Sequence, residues 1–306
     1  MSISKPKVII TGGGGLLGQY LNIILSKDFE ILSFYRSNPG NCVQYKAVKI
    51  ELSDFAAISS VFSEFNPDFV VHCAAVSNPN KADLLLPGDV NMINVLATEH
   101  IAVECERRGA KLLYTSTDLV YAGYRGSYLK EDSKLVPLTL YAETKLMGEV
   151  KIEQTLGNYI IARTPLLFGL GYNGTTNNFQ EMVRKFVVGQ KVKLFTDQFR
   201  TPLAVCEAAR IIKELLTTNI SGEIVNIACS RRVSRVDLGE LACDSGGFSK
   251  ELIDRVSMDS AHDIIPVADV SLDISKLRSY GIDPEALEQM VDREVREIVI
   301  AKNGER

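Results

Sequence analysis

Apolar positions along the chain alternate between two rhythms. Short apolar runs at Lys7–Thr11, Glu30–Phe34, Tyr45–Ile50, Phe69–Ala74, Lys111–Ser116 and Tyr159–Arg163 predict strands. Between them, apolar residues recur at helical spacing. Gly15–Ser26 carries Leu16, Leu17, Tyr20, Leu21, Ile24 and Leu25. Asp54 caps a helix with Phe55, Ile58, Val61, Phe62 and Phe65 on one face, and Asn66-Pro67 stops it. A long helix within Asp83–Arg108 ends at Gly109, and another spans Tyr141–Leu156 before Gly157. Phe69–Ala74 is almost wholly apolar, as a strand covered on both faces requires. This alternation predicts the α/β class, with a doubly wound parallel sheet.

After Arg163 the pattern changes. Gly169–Asn178 reads as a Gly-, Asn- and Thr-rich loop, followed by a helix within Asn178–Val188 and a strand at Val192–Phe195. Leu203–Thr217 reads as helix and Glu223–Ile227 as a returning strand. More polar sequence follows, with helices expected at Arg235–Cys243, Ser275–Ser279 and Pro284–Ile300. Two interleaved lobes are expected: residues 1–165 plus about 200–228, and about 166–199 plus 229–306.

Composition narrows the partners. Of the 306 residues 46% are hydrophobic, enough for a sizeable core, and the net charge of −4 gives no reason to expect nucleic acid or an anionic membrane. No apolar run reaches the roughly 18 residues of a spanning helix. The opening MSISKPKVIITGGGG lacks a signal-peptide core, so a cytoplasmic location is expected. The six cysteines form no CxxC pair, and His72, His100 and His262 form no metal-binding doublet; no metal is expected. A small molecule or another protein is the more natural partner.

Thr11-Gly12-Gly13-Gly14-Gly15-Leu16-Leu17-Gly18 follows a strand and opens a helix. Gly12, Gly15 and Gly18 fit GxxGxxG. Such glycines permit positive φ and close approach to a pyrophosphate, which a helix N-terminus attracts. No Gly-Lys-Ser/Thr follows, which excludes a P-loop. The second strand leads into Arg36-Ser37 rather than an acidic residue. A guanidinium suits a 2′-phosphate, so NADPH is favoured, with NADH as the second option.

Tyr141-Ala142-Glu143-Thr144-Lys145 is YxxxK, and on a helix i and i+4 share a face. The Lys145 ammonium is expected to lower the Tyr141 pKa, preparing the phenol for proton transfer at a carbonyl or alkoxide. The motif lies about 25 residues beyond Tyr114–Asp118, at a strand end where such sheets place ligand chemistry. Thr117 can donate to a substrate oxygen and Asp118 can orient a neighbouring group.

Together these residues resemble the extended short-chain dehydrogenase/reductase family over most of the chain. Thr11–Gly18 is similar to its TGxxGxxG, and Glu51-Leu52 to its adenine-contacting pair. His72-Cys73-Ala74-Ala75 is similar to NAAA, with His72 where asparagine is usual. Asn94–Thr98 is similar to NVxGT, whose asparagine supports the active site. Within the family, the dTDP-4-dehydrorhamnose reductase subgroup is the nearest likeness. It is carried by Ser116–Tyr121, Lys81-Ala82-Asp83, Arg163-Thr164, Asn177-Asn178-Phe179, Asp197–Pro202 and Ser271-Leu272-Asp273. Leu166 stands where that subgroup has a tryptophan, and Arg200 and Leu203 depart from its DQxGxPT.

The resemblance implies a Rossmann-type sheet with a smaller C-terminal substrate lobe. It also implies NADPH-dependent reduction of a nucleotide-linked 4-keto-6-deoxysugar, first of all dTDP-4-dehydro-L-rhamnose. Thr117, Tyr141 and Lys145 take the catalytic positions. Gly12, Gly14, Gly15, Leu16, Leu17, Gly18, Arg36, Ser37, Glu51, Leu52, Cys73, Ala74, Ala75 and Asn94, with Tyr141 and Lys145, take the cofactor positions. Val76, Thr117, Asp118, Asn178, Phe179 and Arg200 are the substrate candidates, and a homodimer is allowed. Two alternatives stay open: an NADP-binding regulatory subunit similar to the β subunit of methionine adenosyltransferase, and a nucleotide-sugar epimerase or dehydratase.

Overall fold

The computed structural model describes residues 5–77, 82, 84–124, 126–260 and 267–304. Lys81 and Asp83, which carry part of the resemblance, lie outside them, as does His262. The chain divides into two units. One contains the described residues up to Val120, with Pro137–Arg163 and Ala209–Val225; the other contains Tyr121–Val136, Thr164–Ala208 and the described residues from Asn226 onward. Residues 121–136 and 200–208 thus belong to the second unit, although their position in the sequence assigns them to the first.

In chain order the first unit begins β1 (Lys7–Thr11), α1 (Leu16–Leu25), β2 (Glu30–Tyr35), β3 (Ala47–Lys49), α2 (Phe55–Phe65) and β4 (Phe69–His72). It continues with α3 (Pro87–Asn91), α4 (Ala97–Arg108), β5 (Lys111–Thr117), α5 (Leu140–Thr155) and β6 (Tyr159–Thr164). Strand β11 (Glu223–Asn226) completes a seven-stranded sheet of order β11-β6-β5-β4-β1-β2-β3. β1 pairs in parallel with β2 (Ile9 opposite Leu32) and with β4 (Ile9 opposite Val70). The order therefore reverses at β1, and the ends of β1 and β4 flank the crevice where doubly wound sheets bind ligands. One face is closed by Ile9, Phe34, Ile58, Phe62, Ile101, Tyr114, Ile152 and Ile161. Burying each large side chain contributes roughly 1.5–3 kcal/mol.

Local signals explain most boundaries. Asp54 accepts from the Ala57 amide and Thr139 from Ala142, each capping its helix. Asn66 and Gly109 close α2 and α4 in the left-handed conformation. Two expectations need correction. The strand expected over Tyr45–Ile50 is only Ala47–Lys49, because Gly40–Gln44 winds into a 3-10 turn before it. The helix expected within 83–108 is interrupted by a π turn at Met92–Leu96 between α3 and α4.

The second unit contains β7 (Leu167–Phe168), α6 (Asn178–Val187), β8 (Val192–Phe195), β9 (Phe199–Arg200) and β10 (Leu203–Ala204), followed by α7 (Val205–Thr217), which continues into the first unit. Then come β12 (Val233–Ser234), α8 (Arg235–Gly246), β13 (Ile253–Val256), α9 (Ser275–Ser279) and α10 (Leu287–Gly304). Leu203–Ala204 is extended rather than the start of a helix, pairing with β7. β13, absent from the sequence reading, pairs in parallel with β8. Its two adjacent charged residues, Asp254 and Arg255, are both exposed and break the apolar–polar alternation that would mark a strand. Among the described residues no helix is long and apolar enough to cross a membrane.

Candidate active site

The glycine turn leaves β1 with Gly12 at φ +72°, a region that favours glycine. A Cβ on Gly12 would lie 3.0 Å from the Ala74 backbone, and one on Gly18 only 2.1 Å from the Gly12 carbonyl oxygen. Gly15 is the N-cap of α1; it supplies no side-chain cap, and the first turn holds no acid. The amides and partial positive charge of this helix end therefore suit an anion. Gly14 is required for a different reason: its Cβ would sit 2.0 Å from the Asn38 carbonyl oxygen. The segment after β2 lies directly on the turn.

A buried polar cluster missed by the sequence reading holds that segment. The Asn41 amide donates to Gln19 Oε1 (3.1 Å), and its side chain donates to the Gln19 carbonyl (2.9 Å). Asn22 donates to Asn41 Oδ1 (2.8 Å), and Ser33 donates to Asn22 Oδ1 (2.6 Å). Arg36 and Ser37 are exposed just beyond β2, as are the Glu51 side chain and, more partially, Cys73, Ala74 and Ala75 after β4. Leu52 is buried.

Thr117 ends β5, and Tyr141 and Lys145 lie one turn apart on α5. Thr117 Oγ1 donates to Asp118 Oδ1 (3.2 Å), and Tyr141 hydrogen-bonds Thr117. Burial pushes the Tyr141 phenol up to about 12, opposed by the Thr117 hydrogen bond and reinforced by the Asp118 carboxylate. The expected lowering by Lys145 is not what this site shows. The Lys145 ammonium lies 3.9 Å from the centroid of the buried Tyr114 ring, and burial brings it down to about 7. A buried ammonium is costly in its charged form, so the lysine gives way rather than the tyrosine.

This displacement has a measurable consequence. Lys145 has a lower pKa folded than unfolded, so between about 7 and the ordinary lysine value the unfolded chain binds the additional proton. The burial penalty acts in full below neutral pH and fades as pH rises. Urea unfolding of wild type and Lys145→Met should therefore show wild type gaining relative stability from about pH 7 to about pH 9. A pH-independent difference would contradict the burial of the charge.

Asn94 sits in the π turn. Its Oδ1 accepts from the Val76 amide (2.8 Å), while its Nδ2 donates to Thr144 Oγ1 (3.0 Å), beside Lys145 on α5. Gly148 permits this approach, since a Cβ there would lie 3.0 Å from the Asn94 carbonyl oxygen. Two turns beyond Tyr141, Glu149 forms a buried ion pair with Arg163 of β6 (2.7 Å) and accepts from Ser116 of β5. Neither Glu149 nor Arg163 entered the sequence-level site. For Glu149 the helical spacing Tyr141-Lys145-Glu149 was the available signal; Arg163, on a strand, shares no such spacing.

The candidates in the second unit are placed differently. Asn178 is exposed at the start of α6, whose N-cap Asn177 accepts from Gln180 and donates to the Gly169 carbonyl. Phe179 is buried, its ring 4.8 Å from that of Phe168. Arg200 is also buried, donating to the Phe199 and Val267 carbonyls.

Comparison with known proteins places this geometry in a family. The model of the RmlD substrate binding domain matches residues 6–299. The chain is 27% identical over 256 residues to the probable low-salt glycan biosynthesis reductase Agl14 of Haloferax volcanii, covering 81% of this chain and 83% of that protein. It is 32% identical over 170 residues to methionine adenosyltransferase 2 subunit beta of Xenopus tropicalis, covering 55% of this chain and 49% of that one. The fold superposes with a TM-score of 0.84 on dTDP-4-dehydrorhamnose reductase from Bacillus anthracis strain Ames in complex with NADP, at 23% identity over 96% of this chain and 99% of that one.

Proposed function

The chain belongs to the RmlD substrate binding domain family, and from that membership we propose that it is an NADPH-dependent reductase of a nucleotide-linked 4-keto-6-deoxysugar, with dTDP-4-dehydro-L-rhamnose as the first candidate. The observation that carries this reading is the presence of Thr117, Tyr141 and Lys145 in the same unit as an uncapped glycine turn. The B. anthracis structure, described in complex with NADP, supports the choice of cofactor.

The turn fits a dinucleotide. Gly12 and Gly18 let the turn close tightly on Ala74 and on itself where a Cβ would intrude, and the N-terminus of α1, with no side-chain cap, presents its amides to a phosphate. Exposed Arg36, with Ser37, suits the 2′-phosphate. Bound NADPH supplies a hydride, so that ketone, NADPH and a proton give alcohol and NADP. The phenol of Tyr141 stands protonated at neutral pH and gives its proton to the oxygen developing charge at C4. Thr117 turns its hydroxyl hydrogen from Asp118 to that oxygen, and Lys145 adds positive charge nearby when protonated.

The test is NADPH oxidation against a panel of 4-keto sugar nucleotides, repeated with NADH and with Arg36→Ala. Turnover should require the keto sugar. Losing a charge-assisted contact of about 1.5–3 kcal/mol should shift the NADPH/NADH ratio of kcat/KM by about tenfold or more. An unchanged ratio removes Arg36 from the 2′-phosphate site. Cofactor binding without turnover across the panel would favour the second reading, a regulatory subunit, which the 32% identity to the methionine adenosyltransferase subunit supports.

A further inference from the structure

His72 ends β4 with no exposed surface and with both ring nitrogens engaged. Nδ1 lies 2.6 Å from Thr11 Oγ1, at the last residue of β1, and Nε2 lies 2.9 Å from Thr98 Oγ1 on α4. The neighbours assign every proton. Thr98 gives its hydroxyl hydrogen to the Asn94 carbonyl (2.9 Å), so its oxygen can only accept, and His72 Nε2 carries the proton. Thr11 Oγ1 accepts from the Cys73 and Ala74 amides (3.1 Å each), so its own hydrogen goes to His72 Nδ1. The result is a directed chain: Thr11 to His72 to Thr98 to the Asn94 carbonyl, with Asn94 itself bonded to Thr144 beside Lys145.

We propose that His72 is a positioning residue. A neutral imidazole, fixed as the Nε2–H tautomer, joins the dinucleotide turn to the π turn and thereby to the helix that carries Tyr141 and Lys145. The charged or titratable side chains facing it are Tyr114, whose ring centroid lies 5.5 Å away, and Lys145. A second imidazole proton would meet a Thr11 oxygen that already accepts two amides, within reach of the Lys145 charge. Burial and that charge together hold the imidazole down at about 3. The ring therefore adds no charge beside Lys145, and no proton passes through it. The part of this inference that concerns turnover rests on the proposed reductase reading; the tautomer does not.

Two variants and one spectrum test it. Glutamine can present one acceptor and one donor without titrating, whereas phenylalanine preserves the ring's bulk and presents neither. His72→Gln should keep most of the wild-type kcat/KM. His72→Phe should lose about tenfold to a hundredfold, with a raised KM for NADPH, because small misplacements of a catalytic group cost that much. A residue needed only for packing would give the reverse order, and a proton-shuttling histidine would lose activity in both variants; either result overturns the proposal. Nitrogen NMR of the wild-type, cofactor-free protein should show a protonated Nε2 and an unprotonated Nδ1, unchanged from about pH 5 to about pH 9. An Nδ1–H form or titration in that range overturns the proposal even if no sugar is turned over. If the spectrum is as expected and no turnover is found in wild type, the reductase reading fails alone; NADPH affinity of the two variants then decides, and equal affinities overturn the positioning role.

Discussion

Tyr141→Phe is expected to lower kcat for keto-sugar reduction by about a hundredfold to ten-thousandfold while leaving NADPH affinity nearly unchanged. The substitution removes one oxygen and its proton from a helix otherwise left intact. The loss should fall on kcat because the phenol's proton is needed at the oxygen only as hydride arrives. The elevated phenol pKa makes the residue an acid at neutral pH, the form that reduction requires. Tyr141 is held by Thr117 and lies on a helix fixed by the Thr139 cap, so phenylalanine should occupy the same place. The measurements are steady-state NADPH oxidation and a fluorescence titration of NADPH binding. A variant that turns over like wild type would remove Tyr141 from the reaction; a variant that no longer binds NADPH would assign it to cofactor binding.

The second large effect concerns stability. Arg163→Met should destabilise the protein by about 3–5 kcal/mol, because it leaves the Glu149 carboxylate buried without its cation. Both side chains of the pair are only 1% exposed, so water cannot replace the guanidinium. The double variant Glu149→Leu/Arg163→Met should recover much of the loss, since removing both charges also removes their desolvation cost. Urea denaturation of the two variants decides the point. A loss below about 1 kcal/mol in the single variant would be the behaviour of an exposed pair and would contradict the burial. Because Glu149 shares a helix with Tyr141 and Lys145, the pair also fixes that helix against β5 and β6.

The parts of this molecule legible in the sequence are those determined by near neighbours. β1 occupies Lys7–Thr11 as its apolar run requires, and α9 falls on Ser275–Ser279. The glycine turn announces itself because steric demands at Gly12 and Gly18 leave a single residue type. The π turn at Met92–Leu96 does not, since one additional residue in a turn scarcely alters an apolar period. Nor does the cluster of Gln19, Asn22, Ser33 and Asn41, whose members are polar and come from three separate segments and so leave no rhythm. His72 was visible as a departure from asparagine, but its role depends on Thr11 and Thr98, which only folding brings to it. The environment of Lys145 was likewise hidden: helical spacing places it near Tyr141, whereas the Tyr114 ring beneath it comes from another strand.

The seating of Asn38 on Gly14, and of Asn41 on Gln19 and Asn22, bears on how this enzyme can be re-engineered. The loop carrying Arg36 is not a detachable module. A graft from an NADH-preferring homologue would take away the Asn41 amide from which Gln19 Oε1 accepts and the Asn41 oxygen to which Asn22 donates, and it would have to pass Gly14 as closely as Asn38 does. Cofactor preference should therefore respond to single exposed substitutions at Arg36 and Ser37, whereas whole-loop exchange will succeed only when the facing residues of α1 are exchanged with it.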